Sequence, residues 1–145
     1  MVPLFHHVGY GTASLEISRE IFENLGYRTE GPIFYDDVLG VQLQFMVLLD
    51  SNNTRIALIE DLPNIVNGPI LKILKQRTGL YHMAFEVDSI KDSMKAFSLQ
   101  PLTYCLPATA FNGRHIRFFL TKDGGIVELI SLKDACECLG GSNHV

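Results

Sequence analysis

The sequence has little of what marks several large classes of protein. No apolar run in its 145 residues approaches the roughly 18 residues of a membrane span. The longest clear run is Phe45-Met46-Val47-Leu48-Leu49, so a membrane partner is excluded. Basic residues are not in excess: 12 Lys and Arg stand against 16 Asp and Glu, for a net charge of −4. A nucleic acid is excluded as a partner on the same footing, because a phosphate backbone requires a basic stripe. There are only three cysteines, an odd number that argues against a disulfide framework. The start, Met1-Val2-Pro3-Leu4-Phe5-His6-His7, lacks the charged-then-apolar plan of a signal peptide. These two features predict a cytoplasmic protein of a reducing compartment. Charged residues are scarce at 19%, and the 47% that are hydrophobic suffice for a real core. The length fits one domain or two small fused modules.

What the sequence does contain is a repeat of itself. Shifted by 75 residues, His7 falls on His82, Val8 on Met83, Gly9 on Ala84 and Tyr10 on Phe85. Ser14 then meets Ser89, Leu15 meets Ile90, Ser18 meets Ser93 and Phe22 meets Phe97. At a shift of 71, Ile56-Ala57-Leu58-Ile59 meets Val127-Glu128-Leu129-Ile130. The shared order of histidine strand, helix and closing apolar strand predicts two related modules.

Each module reads as a strand, a helix and then further strands, an α+β pattern. In the first, Leu4 to Tyr10 is a β-type run. Ser14 is a helix N-cap, with Glu16 in the first turn and Gly26 at the stop. Ile17, Ile21, Phe22 and Leu25 form the expected apolar face of that helix. Strands are expected at Ile33 to Tyr35, Val41 to Leu49 and Arg55 to Glu60. In the second module, strands are expected at Leu80 to Val87, Leu102 to Leu106, His115 to Leu120 and Ile126 to Ser131. Its helix runs from about Asp88 to Leu99. The predicted organisation is a module at 1–61, a linker helix within 62–78 that starts near Pro69, a second module at 79–132 and a tail at 133–145. Cys136-x-Cys138 with His144 in the tail lacks four well-spaced ligands and is set aside as a metal site.

Strand alternation places candidate chemistry on one face. Val8 and Tyr10 share a face in the first copy, as Tyr81, Met83 and Phe85 do in the second, and these large groups suit packing under a helix. His7 with Gly9, and His82 with Ala84, point the other way, where small neighbours leave room for a ligand. Pseudo-twofold pairing of the copies would bring the two histidines together. Taken alone, each is equally a strand histidine with a hydrogen bond, and Glu128 an edge carboxylate in solvent. Gln42 and Gln44 share one strand face and are candidates to line a ligand cavity, or form a solvated face. His115 and Arg117 share another, where Arg117 could hold a carboxylate or phosphate, or make a surface pair.

The segments Phe5-His6-His7-Val8-Gly9, Leu25-Gly26-Tyr27, Gly79 to Asp88, Phe118-Phe119-Leu120 and Gly125-Ile126-Val127-Glu128-Leu129 resemble the vicinal oxygen chelate superfamily. This is the glyoxalase, bleomycin-resistance and extradiol dioxygenase group, and the likeness is strongest to methylmalonyl-CoA epimerases. The resemblance implies paired βαβββ modules that form a cupped mixed sheet, a divalent metal (Zn, Co, Ni, Mn or Fe) and a homodimer. Carried over by residue, it implies His7, His82 and Glu128 as metal ligands. The fourth ligand, usually Glu or Gln, falls at Ala57, which cannot bind a metal. The internal repeat independently makes Ala57 the partner of Glu128. The acid that epimerases carry on the strand after Gly40 is also missing, for the segment reads Gly40-Val41-Gln42-Leu43-Gln44-Phe45.

Three readings stay open. The first is a small metal-dependent isomerase, epimerase or lyase. It polarises the carbonyl of a thioester or 2-oxo compound, with Glu128 or a metal-bound hydroxide as the base. The second is a metal-free protein that binds or sequesters a small molecule on the same fold, favoured by Ala57 and the acid-free strand. The third is an Fe(II) extradiol-type oxygenase, for which two histidines and a carboxylate are the appropriate triad. Gly113-Arg114-His115 fits part of that group's signature, but Phe118-Phe119 and Lys122-Asp123 depart from it.

Overall fold

The computed structural model describes residues 2–49, 54–66, 68–70, 72 and 79–133. Its chain divides into one unit of residues 7–81 and another of residues 1–6 with 82–145. Both units are α+β and follow one plan.

The unit of residues 7–81 is built on strand β1 (Leu4–Gly11), helix α1 (Leu15–Asn24) and strands β2 (Tyr27–Thr29), β3 (Phe34–Asp36), β4 (Val41–Leu48) and β5 (Arg55–Asp61). Its strand order is β2-β4-β5-β1, with β3 beside β4. β1 and β5 are parallel, and β4 is antiparallel to β2, β3 and β5. Parallel neighbours need a crossover between them, and the path through α1 supplies it. Ser14 caps α1, its side chain accepting from the Ile17 amide. The Glu60 carboxylate accepts from the Leu15 amide and from Gln42 Nε2. Gly26 follows the helix at φ 99°, a value that favours glycine.

The inward face of α1 keeps only Phe22 of the four apolar residues expected there. Ile17, Ile21 and Leu25 are 61%, 50% and 63% exposed. Leu15 and Ser18 are buried, and Phe22 joins Leu15, Met46, Ile56, Leu58, Tyr10 and Tyr27 in the core. A serine holds a core position because its hydroxyl donates to Thr12 Oγ1 at 2.7 Å. A small residue satisfied in this way brings the helix close to the sheet, and a pattern of large apolar residues does not reveal it.

The other unit contains β6 (Gly79–Val87) from His82 on, α2 (Ile90–Ala96), β7 (Gln100–Pro101), β8 (Leu106–Pro107), a 3₁₀ turn (Thr109–Phe111), β9 (His115–Leu120) and β10 (Ile126–Ser131). Its order, β6-β10-β9-β7 with β8 beside β9, matches that of the first unit. β6 and β10 are parallel, as β1 and β5 are. Ser89 caps α2 by accepting from the Asp92 amide, as Ser14 caps α1. Val87, Ile90, Cys105, Phe119 and Leu129 form the core beneath α2. Residues 1–6 belong to this unit, where Phe5 packs edge-on against Phe85 and His6 against Phe111.

The strand expected at Leu102 to Leu106 is instead two short pieces, β7 and β8. Each contains a proline and pairs only with β9, as suits a residue without a ladder donor. Between them Thr103 Oγ1 accepts from the Phe118 amide. The cysteine expectation is corrected at one position: Cys105 is disulfide-bonded, since an odd count forbids only complete pairing. Cys136, Cys138, His144 and most of the expected linker helix lie outside the described residues.

Removing the cap hydroxyl should cost about 1 kcal/mol. Ser14→Ala is therefore expected to lower the urea midpoint with an unchanged m-value. An unaltered midpoint would show that the cap contributes nothing.

Candidate metal centre

In the second unit His82 and Glu128 meet. Glu128 on β10 is in register with Ala84 on β6 and Phe118 on β9. Side chains in register across a sheet share a face, and His82 lies two residues before Ala84 on that face. The methyl group of Ala84 is small, and His82 Nε2 lies 3.2 Å from Glu128 Oε1. Both side chains are almost fully buried, and Phe118 packs edge-on to His82 with centroids 5.4 Å apart. A carboxylate out of water is costly unless it has a partner, and the imidazole supplies one.

The first unit repeats this frame without the acid. Ala57 on β5 is in register with Gly9 on β1 and Phe45 on β4. His7 lies two residues before Gly9, as His82 does before Ala84. Phe45 packs edge-on to His7 at 5.3 Å, as Phe118 does to His82. His7 and Ala57 are both buried. Each histidine therefore has a small residue two places on, a phenylalanine at its edge and a position in register that holds Glu128 in one unit and Ala57 in the other.

The remaining candidates lie on the opposite faces. Gln42 is in register with Glu60, and Gln44 with Leu58, which puts both on the α1 side of the sheet. Gln42 donates to Glu60, and Gln44 donates to the Gly31 carbonyl and accepts from Arg19 Nη1. The face that carries His7 presents Val41, Leu43 and Phe45 instead. Arg117 is in register with Leu129, on the α2 side. Its Nε donates to the Thr103 carbonyl at 2.7 Å and its guanidinium lies over Phe119. Burial pulls the Arg117 pKa below its ordinary value. His115, two residues earlier, shares that face. None of these four residues accompanies the histidines, because an odd shift along a strand reverses the face.

Sequence reading missed a pair on the His82 side. Glu86 is in register with Ile130, one step along from Glu128. It accepts from Arg114 Nη1 at 3.1 Å, and the same Nη1 donates to the Ser131 carbonyl. Arg114 also lies over Phe111. Glu86 is four residues from His82, so alternation alone would have placed it on this face.

This order of elements and this site define a class. Residues 6–131 match the family model of the Glyoxalase/Bleomycin resistance protein/Dioxygenase superfamily. The chain belongs to that superfamily. No curated protein sequence matches it significantly. Among solved structures, it is similar to a hypothetical protein from Bacillus halodurans, with 21% identity, a TM-score of 0.75 and coverage of 94% of this chain and 99% of the other. It is also similar to methylmalonyl-CoA epimerase from Mycobacterium tuberculosis, with 22% identity, a TM-score of 0.71 and coverage of 88% and 86%. A third similar structure is a variant Streptomyces coelicolor methylmalonyl-CoA epimerase in complex with 2-nitronate-propionyl-CoA. It has 20% identity, a TM-score of 0.70 and coverage of 92% and 100%.

Gln44→Ala removes the donor to the Gly31 carbonyl and the acceptor for Arg19 Nη1, leaving Arg19 only its ion pair with Glu23. It should lower stability by about 1–2 kcal/mol in urea unfolding. Unchanged stability would show that these hydrogen bonds contribute nothing.

Proposed function

We propose that the protein is a metal-dependent isomerase or lyase of the glyoxalase type, in which His7, His82 and Glu128 together hold one divalent ion. The observation that carries this reading is the buried His82–Glu128 pair, set in a strand frame that is repeated around a buried His7. The donor set fits the ion. Each imidazole offers one nitrogen and the carboxylate one oxygen, which suits Zn²⁺ or another first-row divalent ion. When bound, the ion would act as a Lewis acid that makes the C–H beside a carbonyl more acidic. The substrate class is a small thioester or 2-oxo compound, and the working form is a homodimer.

The chain's own residues then have separable tasks. Before an ion binds, His82 Nε2 meets Glu128 Oε1 and lowers the cost of its burial. Glu128 Oε is the acceptor for the substrate proton. Phe118 and Phe45 cover the imidazole edges and keep water away, which strengthens the electrostatics at the reacting atoms.

Epimerisation by two bases is the less favoured form of this reading. One base is needed on each side of the carbon, and the His7 face offers Val41, Leu43, Phe45 and Ala57 where a second acid would stand. That apolar face also favours the rival reading, a metal-free module that binds a small amphipathic compound.

Protein purified without added metal and then loaded should contain one equivalent of ion by plasma emission analysis, and His82→Ala should lose it. The absence of metal under any loading would leave the binding module. With the ion bound, wild type should exchange the hydrogen at C2 of methylmalonyl-CoA or at C3 of 2-oxobutyrate with D₂O, and Glu128→Gln should slow this by about 100-fold or more. Equal exchange in Glu128→Gln would remove Glu128 as the base.

A further inference from the structure

We infer that Arg114 is a specificity-determining residue that grips a carboxylate at the far end of the substrate, so that the substrate carries an enolisable carbonyl at one end and an anionic group a few carbons away at the other. This rests on the reading above and deepens it, and it concerns residues of the second unit alone. Ala84, Glu128 and Phe118 form one row across β6, β10 and β9, and Glu86, Ile130 and Ile116 form the next. Both rows lie on the face that carries His82. Arg114 precedes Ile116 by two residues, and its Nη1 reaches Glu86 Oε2 at 3.1 Å and the Ser131 carbonyl at 3.0 Å. Glu86 is one row from Glu128 and Ser131 three residues from it, so the guanidinium stands about 7–10 Å along the strands from Glu128. A hydrogen bond at the arginine takes about 2.9 Å of that gap. The remaining 4–7 Å, roughly, fit four to six chain bonds at about 1.2 Å of reach each. The row between offers Ile130 and Ile116, which suit methylene groups.

Only one nitrogen of Arg114 is used by the chain. Its guanidinium also lies 5.6 Å over the Phe111 ring, which His6 meets edge-on, and these contacts fix its plane. Nε and Nη2 have no hydrogen-bond partner among the described residues. These two form one edge of the planar fork, the geometry that takes a carboxylate bidentately. Exposure rises along the same face: the side chains of His82 and Glu128 are 1% and 5% exposed, those of Arg114 and Glu86 22% and 21%. The guanidinium therefore stands where the buried end of the site gives way to solvent, a place from which a fixed cation draws in an anion. Arg117, on the same strand, cannot serve, because it is buried on the opposite face with its Nε given to the Thr103 carbonyl.

The test uses the full chain, loaded with Zn²⁺ and in parallel treated with chelator, and two probes of equal chain length, 2-oxoadipate and 2-oxohexanoate, which differ in the terminal carboxylate. By calorimetric titration wild type should bind 2-oxoadipate about tenfold more tightly or better. Arg114→Met, which keeps an apolar side chain over Phe111, should bring the two affinities to within about twofold by weakening 2-oxoadipate alone. Arg114→Gln serves if Arg114→Met fails to fold, and should lose the preference in the same way. A wild type that binds the two probes equally or binds neither overturns the inference, as does a preference that survives in the folded variant. In those cases stoichiometric Zn²⁺ that is lost in His82→Ala keeps the metal reading. A preference that the variant loses, in a chain that takes up no Zn²⁺, leaves the inference standing and the metal reading failed.

Discussion

The structure turns on the contact between His82 and Glu128. A carboxylate buried in a sheet needs a partner in place, and Nε2 at 3.2 Å is that partner. The contact requires the strand register that sets Glu128 beside Ala84, and a residue at 84 small enough to leave the space. The register in turn depends on the parallel pairing of β6 and β10, which the crossover through α2 makes available. A slip of one residue would send Glu128 into the core beside Leu129 and Phe119.

The duplicated plan explains how the two halves can share an architecture and differ in chemistry. The capping serines, the strand order, the small residue after each histidine and the phenylalanine at its edge recur in both units. These features maintain the fold. On the histidine face the units differ at the position that holds Glu128 in one and Ala57 in the other, and in the Glu86–Arg114 pair of the second. Function in this superfamily's fold lives in the site rather than in the scaffold. Similarity to the epimerase structures at about 20% identity therefore speaks for the scaffold, and the apolar His7 face speaks against a two-base site.

Much of this was legible in the sequence. The α+β class read from the repeat anchored by His7 and His82 is the one observed, and the superfamily assignment agrees with the resemblance read from the same residues. Strands such as β9 and β10 were visible because apolar side chains recur along short runs between turn signals. Three things were not legible, each for a physical reason. Ser18 faces the core because a hydroxyl partner satisfies it, so of the apolar residues expected inward on α1 Phe22 packs there while Ile17, Ile21 and Leu25 are exposed. Prolines 101 and 107 sit in strands because those strands are edges. Gln42, Gln44, His115 and Arg117 are polar residues in strands beside the site, and polarity alone does not say which face they take. Pairing them with their registered neighbours does.

The most direct test of the central claim is X-ray absorption at the metal edge of the Zn²⁺-loaded protein, compared with His7→Ala. The account predicts a nitrogen and oxygen shell at about 2.0–2.1 Å with the multiple-scattering signature of two imidazoles, reduced to one in His7→Ala. Failure to load a stoichiometric ion, a sulfur shell, or an imidazole count unchanged by His7→Ala would contradict it.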